Sequence, residues 1–334
     1  MQGLLTKYGP GPSHLAFISH HHHKRHLVLL GGLTDGLMFA SYVPPLAAGL
    51  AAKGWSLVQA QLSSSYQGFG CSCLDQDAEE LRLLLHHLTR AHASSGLVLM
   101  GHSTGCQGVT RFMQQHASSS SVAPVKAAPQ PGDEGAAAGA GAVGGGGGAA
   151  GVGAAGYVGE AAGGGGAKGS SGGPLPALPL LATVLQAPVS DREWLAMHPE
   201  LLPQILTARD FVAQGRGAEV VGRLQLLDGA PITAQRLCDL CDLGGDDDMY
   251  SMDFTAEELQ ARLAPLGMLP CLVMLSGEDE AVPDTAKIPG HASRLAAAIG
   301  GDKARAEVVS GAPHNLAGYE EVCVRLVTEF LDSL

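Results

Sequence analysis

Ser103 lies at the centre of the pentapeptide Gly101-His102-Ser103-Thr104-Gly105, a G-x-S-x-G pattern. A serine in this pattern acts as a nucleophile when a buried strand runs into a sharp turn and then a helix. The chain has 47 glycines, so the pattern alone is weak evidence, and Gly169-Ser170-Ser171-Gly172-Gly173 matches it too. Only the first match has an apolar run before it, over 96–100, and helical apolar spacing after it, over 106–116. We therefore predict that Ser103 is the nucleophile.

A serine hydroxyl needs a base to take its proton, and the base needs a third group to hold its tautomer. In strand–turn–helix hydrolases these follow in the order serine, acid, histidine. Asp279 lies just after the apolar strand predicted over 270–276, although its neighbours Glu278 and Glu280 offer the same chemistry. His314 lies after a later strand and before the last helix. We predict that His314 is the base and that Asp279 orients it.

An oxyanion needs two preorganised N–H donors. We expect one from Thr104, the residue after the nucleophile, and one from the turn that follows the strand Leu27–Leu30. Leu33 is the first choice in that turn and Thr34 the second, while Gly32 lets the backbone approach the substrate. An ordinary glycine turn is the alternative interpretation.

A polar run follows the strand predicted over 55–61. Its Ser64 and Tyr66 would lie at the edge of the sheet where the nucleophile lies. Their hydroxyls could line the pocket or support the oxyanion turn. Alternatively, the run is a polar turn stabilised by its own side chains. The sequence leaves both interpretations open.

Strand and helix patterns alternate along most of the chain. They predict an α/β fold with a mostly parallel sheet covered by helices on both faces. One domain would comprise 1–116 and 174–334, with a mostly helical lid over 191–268. The Ser-, Gly- and Ala-rich segment 117–173 cannot bury enough apolar surface to fold, so we predict a disordered insertion. In the lid, Asp191 with Arg192 reads as an ion pair, and the acidic run 244–248 as a solvated loop.

Composition restricts the partners and the compartment. A net charge of −12 over 334 residues argues against nucleic acid and anionic membranes as partners. No apolar run reaches the roughly 18 residues of a membrane span, and no secretory signal is evident. Seven cysteines in no regular framework indicate reduced thiols in a cytoplasmic setting. A plastid address stays possible because no acidic residue precedes Asp35.

Two features could suggest a metal. The histidine-rich run 20–26 is better explained as an exposed loop between two strands. Cys238 and Cys241 form a lone C-x-x-C without a second pair at the right spacing, so they read as scattered thiols. We expect no metal and no cofactor.

Several longer segments resemble one family. They are LLGGLTDG (29–36), QLSSSYQGFG (61–70), MGHSTGCQG (100–108), LQAPVSDREW (185–194), DDDMYSMDF (246–254), SGEDEAVP (276–283) and PHNL (313–316). Together they resemble the DUF1749 family of the α/β-hydrolase superfamily. The resemblance implies a serine-hydrolase fold in which Ser103, Asp279 and His314 match the triad positions.

The resemblance also implies an activity. Family members include an esterase acting on hydroxamate siderophores, so hydrolysis of a small-molecule carboxylic ester or acyl substrate is the implied reaction. The siderophore itself is not carried over, because nothing in this sequence selects it. Two alternatives stay open: a catalytically silent hydrolase fold that serves in binding or as a scaffold, and a thioesterase, amidase or peptidase with the same triad.

Overall fold

The computed structural model of the protein describes residues 1–120 and 177–334. The helix after Ser103 continues to Ser120, into the first residues of the predicted insertion 117–173. The rest of that insertion lies outside the described residues, and so does the second serine pattern at 169–173. The described residues belong to one compact unit.

An eight-stranded sheet forms the centre of the described part of the chain. The ten strands in this part are β1 (Gly3–Lys7), β2 (Leu15–Ser19), β3 (Arg25–Leu30), β4 (Trp55–Gln61), β5 (Gly96–His102), β6 (Leu180–Gln186), β7 (Val220–Leu224), β8 (Ala230–Thr233), β9 (Cys271–Ser276) and β10 (Ala304–Val309). The order in the sheet is β1-β2-β4-β3-β5-β6-β9-β10. Within this sheet the pairs β4-β3, β3-β5, β5-β6, β6-β9 and β9-β10 are parallel. The pairs β1-β2 and β2-β4 are antiparallel. The predicted mostly parallel sheet is confirmed.

Helices cover both faces of this sheet. The nine α-helices of the described residues are α1 (Val43–Ala52), α2 (Leu74–Ala91), α3 (Gly105–Ser120), α4 (Asp191–Leu195), α5 (Leu202–Ala213), α6 (Ala234–Cys241), α7 (Ala256–Leu263), α8 (Ile288–Gly300) and α9 (Glu320–Asp332). Leu27 and Leu29 of β3 pack in the core with α1 and α9. Val28 and Leu30 belong to the opposite core with α2, α3 and α8. Burial on both faces explains why β3 and β5 read as continuous apolar runs.

A third apolar cluster lies in the region 191–268. It is formed by α4, α5, α6 and a two-stranded antiparallel sheet of β7 and β8. We predicted this region as mostly helical, so the small sheet is a correction. Five residues in β7 and four in β8 are too few for an alternating pattern to stand out.

The acidic residues of this region also differ from expectation. Asp191 does not pair with Arg192, whose Nε instead lies 2.9 Å from Oδ2 of Asp248. The run 244–248 is not a solvated loop, because Asp247 and Asp248 are buried. Asp247 accepts a hydrogen bond from Nη1 of the buried Arg236. Buried carboxylates require such partners, and the partners come from distant parts of the chain.

The histidine-rich run lies between β2 and β3, as predicted, but it is not exposed throughout. Arg25 and His26 begin β3, and His26 is fully buried. Among the described residues, no group of three histidine, cysteine or acidic side chains could hold a metal ion. No helix of that part of the chain is long and apolar enough to cross a membrane.

The buried Arg236–Asp247 pair yields a stability prediction. Asp247→Ala leaves the buried guanidinium without its partner and should lower the free energy of unfolding by about 3–5 kcal/mol. Its neighbour Asp246 has a side chain 51% exposed and pairs with Arg111 at 3.1 Å. Asp246→Ala should therefore change stability by less than about 1 kcal/mol. Urea unfolding measures both, and equal losses would show that Asp247 is not the buried anchor described.

Candidate active site

Ser103 lies in a sharp turn at the carboxyl end of β5. Its φ of 52° is in the left-handed region, which residues with a side chain rarely adopt. α3 begins two residues later at Gly105. The backbone N–H of Ser103 donates to the carbonyl oxygen of Gln186 at the end of β6, at 3.0 Å. The strained turn thus holds the serine at the sheet edge where ligands bind in this fold class.

Two glycines allow this turn to pack closely. A Cβ on Gly105 would lie 2.5 Å from the carbonyl oxygen of Leu30 at the end of β3. A Cβ on Gly32 would lie 2.7 Å from Cβ of Ser103. Neither position can carry a side chain without a backbone shift. The last glycine of G-x-S-x-G therefore has a physical reason here.

His314 and Asp279 lie in direct contact. Nδ1 of His314 is 2.8 Å from Oδ1 and 2.9 Å from Oδ2 of Asp279, whose carboxylate is buried after β9. Glu280 instead accepts from the backbone N–H of His314 at 2.9 Å, and Glu278 is exposed. Of the three neighbouring acids, Asp279 is the one that binds the imidazole ring. A proton held at Nδ1 leaves Nε2 free to act as a base.

The surroundings of His314 act on its pKa in opposite directions. Burial lowers the pKa, whereas the hydrogen bond and charge of Asp279 raise it, helped by the charges of Glu280 and Asp191. The carboxylates outweigh burial, so the pKa of His314 lies above the ordinary value of 6.5. The site therefore stabilises the imidazolium that forms when this histidine accepts a proton.

Ser103 and His314 line the same cavity of about 290 Å³. Gly32 and Leu33 line it too. Ser103 Oγ forms no hydrogen bond with another described residue. Such bonds are often long in a free enzyme and shorten when substrate binds. The cavity thus brings the predicted nucleophile, the predicted base and the predicted oxyanion turn together.

The predicted oxyanion donors differ in availability. Among the described residues, the N–H groups of Leu33 and Thr104 have no acceptor, whereas that of Gly32 donates to Oδ2 of Asp35 at 2.7 Å. Thr104 lines a smaller neighbouring cavity that it shares with Gly32 and Leu33. Thr34 has a left-handed φ of 64° and lines neither cavity. This arrangement favours Leu33 over Thr34 as the second donor.

Ser64 and Tyr66 do not line the Ser103 cavity. The N–H of Tyr66 donates to the carbonyl oxygen of Asp35 at 3.0 Å, and its hydroxyl accepts from the N–H of Leu37 at 3.3 Å. Tyr66 thus supports the loop after the oxyanion turn. Ser64 lines the smaller cavity with Asp77.

Gln186 is a residue that the sequence reasoning missed. It is fully buried at the end of β6 and contacts both halves of the site. Its backbone carbonyl holds the N–H of Ser103, and its Nε2 donates to the carbonyl oxygen of His314 at 3.0 Å. Its Oε1 accepts from Nδ1 of His102. The sequence did offer one indication of this role, because Gln186 is a single amide side chain at the end of the otherwise apolar strand β6.

Asp191, which the sequence analysis assigned to an ion pair with Arg192, is a second residue of the site. Its carboxylate is buried beside the start of α3, where Oδ1 accepts from Thr104 Oγ1 at 3.0 Å. Oδ2 accepts from Nε2 of Gln107 at 2.9 Å. Asp191 also lines the Ser103 cavity. Burial raises its pKa to about 7, with the charge of Asp247 adding to the effect and the Thr104 hydroxyl opposing it.

The family model described as "Protein of unknown function (DUF1749)" matches residues 1–332. The chain belongs to this family. An esterase of Emericella nidulans is 26% identical over 345 residues, covering 89% of this chain and 81% of the esterase. A fusarinine C esterase of Aspergillus fumigatus is 41% identical over 97 residues, covering 27% of each chain.

Among solved structures, siderophore hydrolase EstB from Aspergillus fumigatus matches with a TM-score of 0.69. It is 23% identical, and the match covers 99% of this DUF1749 chain and 97% of EstB. This likeness confirms the predicted α/β-hydrolase fold. The relatives named esterases confirm the predicted class of carboxylic ester hydrolase.

Gln186 gives this site a testable feature. Gln186→Met removes the amide that joins His102 to the His314 loop, while the backbone bond to Ser103 stays. Misplaced groups reduce catalysis strongly, so kcat/KM for p-nitrophenyl butyrate should fall by about 10- to 100-fold. Gln59 is a buried glutamine of β4 whose Oε1 accepts from the N–H of Met38 at 2.7 Å.

Gln59→Met is the matched control. It should reduce thermal stability to a similar degree but leave kcat/KM within about three-fold, because Gln59 does not line the Ser103 cavity and forms no hydrogen bond with Ser103, Asp279 or His314. If Gln186→Met also kept its kcat/KM, the amide would have no part in positioning the site.

Proposed function

We propose that this protein hydrolyses small-molecule carboxylic esters through an acyl-enzyme formed on Ser103. One observation carries the proposal: the imidazole of His314 is held at Nδ1 by buried Asp279, on the same cavity as a serine in a strained strand–helix turn. A nucleophile, a base and an orienting acid in this arrangement are the parts that acyl transfer requires.

The first half of the reaction forms the acyl-enzyme. Ser103 Oγ attacks the ester carbonyl carbon while its proton passes to Nε2 of His314. The carbonyl oxygen becomes an oxyanion that accepts hydrogen bonds from the N–H groups of Leu33 and Thr104. As the bond from carbon to the alkoxy oxygen breaks, His314 gives its proton to the departing alcohol.

The second half releases the acid. A water molecule attacks the acyl carbon and loses its proton to His314, and a second oxyanion forms in the same place. The bond to Ser103 Oγ then breaks, and the proton returns from His314 to the serine. Asp279 keeps its charge throughout and stabilises the imidazolium in both halves.

The start of α3 supports the oxyanion. Backbone N–H groups at a helix N-terminus carry a partial positive charge, and Thr104 lies just before Gly105, the first residue of α3. The carboxylate of Asp191 holds the Thr104 side chain at 3.0 Å and thereby orients its backbone. Thr104 is therefore a preorganised donor in this proposal.

These contacts discriminate among the alternative functions. A silent binding or scaffold protein has no need of a buried carboxylate bonded to an imidazole beside a strained serine. A thioesterase, amidase or peptidase would use the same groups, and the esterase relatives favour an ester. The similarity to a fusarinine C esterase and to siderophore hydrolase EstB suggests esters as test substrates. No particular siderophore is proposed as the substrate of this chain.

Labelling with a fluorophosphonate tests the nucleophile. The folded protein should incorporate one probe per chain, since an activated serine attacks phosphorus as it attacks a carbonyl. Ser103→Ala should abolish the labelling. Ser171→Ala, the serine of the second pattern, is the control and should keep it. Persistent labelling of Ser103→Ala, or a silent wild type, would remove the basis of the proposal.

The pH dependence tests the base. His314 must be neutral to accept the serine proton, so kcat/KM should fall as the pH drops through its pKa. Because that pKa is raised, the midpoint of the acid limb should lie above 6.5. Glu280→Gln removes one of the charges that raise it and should move the limb to lower pH. Glu278→Gln, at the exposed neighbour, should leave the limb unchanged, and an equal shift in both variants would contradict the assignment.

A further inference from the structure

The cavity in front of Ser103 has an unbalanced charge. Three carboxylates line it, from Asp35, Asp191 and Glu280. Among the residues that the structure describes, no lysine or arginine lines it. A cavity of this kind attracts cations and repels anionic substrates.

Two of these carboxylates are occupied by the protein itself. Both oxygens of Asp191 accept from Thr104 or Gln107, and Glu280 accepts from the backbone of His314. Asp35 differs, because only its Oδ2 is used, by the N–H of Gly32. Its Oδ1 has no partner among the described residues, and its side chain is 22% exposed. Asp35 is thus the carboxylate that can receive a ligand.

His102 provides a second acceptor beside Asp35. Since Nε2 of Gln186 donates to the His314 carbonyl oxygen, Oε1 of that amide must face His102. Nδ1 of His102 therefore carries the proton and donates it to Oε1. Nε2 is left with a lone pair, and it finds no hydrogen-bond donor among the described residues. This side chain is only 6% exposed and lines the cavity.

Nε2 of His102 lies 3.8 Å from Oδ2 of Asp35, too far for a hydrogen bond. Burial, and then the charge of His314, lower the pKa of His102 to about 3, so the ring is neutral and its Nε2 can only accept. Burial raises the pKa of Asp35, against the Gly32 hydrogen bond and the charge of His314. Two adjacent acceptors thus line the cavity without a donor between them. A ligand with at least two hydrogens and a positive charge would satisfy both.

We propose that Asp35 and His102 form a subsite for a primary ammonium group of the substrate. One N–H of the ammonium donates to the Asp35 carboxylate and another to Nε2 of His102. The Phe39 ring stacks on His102 with a centroid distance of 5.0 Å and also lines the cavity, so it helps to hold the imidazole in place. This inference rests on the proposed function and makes the preferred substrate an amine-bearing ester.

Competitive inhibition tests the subsite with simple probes. Butylammonium, 1-butanol and butyltrimethylammonium share a butyl chain but differ in charge and in hydrogens. Against p-nitrophenyl butyrate, the inhibition constant of butylammonium should be at least about ten-fold lower than that of 1-butanol. It should also be clearly lower than that of butyltrimethylammonium, which has charge but no N–H. Equal inhibition by butylammonium and either of the other two would overturn the proposal.

Variants locate the effect. Asp35→Asn keeps an oxygen for the Gly32 N–H but removes the charge, so the ratio of the butylammonium to the 1-butanol constant should rise by at least about ten-fold. Glu280→Gln removes another cavity carboxylate outside the subsite and should leave that ratio within about three-fold. Because both inhibition constants are measured on the same variant, their ratio can be compared between variants even if a substitution lowers kcat. Similar ratios in both variants would show a general field of the cavity and no subsite at Asp35.

Binding to the Ser103→Ala protein separates this inference from the proposed function. Ligand-observed NMR titration of that variant should give the same preference for butylammonium, without any turnover. A protein that binds butylammonium selectively but fails to label or hydrolyse would contradict the proposed function alone. A protein that labels and hydrolyses but shows no preference would contradict the subsite alone.

Discussion

The left-handed backbone at Ser103 is the constraint on which the rest of the site depends. A residue with a side chain at a φ of 52° costs roughly 1–3 kcal/mol and persists only where its surroundings fix it. Here β5 is buried between β3 and β6, and the carbonyl oxygen of Gln186 holds the serine N–H. Gly105 then lets α3 pass close to β3. Packing of the parallel sheet offsets the strain of this turn, and the turn directs the serine into the cavity.

The ring centroids of His102 and His314 lie 5.1 Å apart, yet the pKa values of the two imidazoles are shifted in opposite directions. His314 contacts a buried carboxylate, so its pKa is raised and its cation is stabilised. His102 contacts an amide oxygen and an aromatic ring, and burial beside His314 lowers its pKa to about 3. One ring can therefore take up a proton readily, while the other stays neutral and can accept a hydrogen bond at Nε2. Gln186 bonds to both loops and keeps the two rings distinct.

The local sequence was sufficient to predict those elements and residues whose structure is determined within a single segment of the chain. Apolar runs that enter glycine turns indicated β3, β5 and β9, and the structure brings Asp279 and His314 into contact as the chain order suggested. Features that depend on distant partners were missed. The acidic run 244–248 was read as solvated because its counter-charges, Arg236 and Arg192, lie outside it. The role of Gln186 requires knowing that β6 lies beside β5.

The structure of a fluorophosphonate adduct would locate the nucleophile and the oxyanion donors in one measurement. We expect phosphorus bonded to Ser103 Oγ, with one phosphonyl oxygen within roughly 2.7–3.1 Å of the backbone nitrogens of Leu33 and Thr104. We also expect His314 Nε2 to face the serine oxygen while Nδ1 stays on Asp279. An adduct on another residue, or a phosphonyl oxygen turned away from both nitrogens, would show that Ser103 and this oxyanion site do not act as proposed.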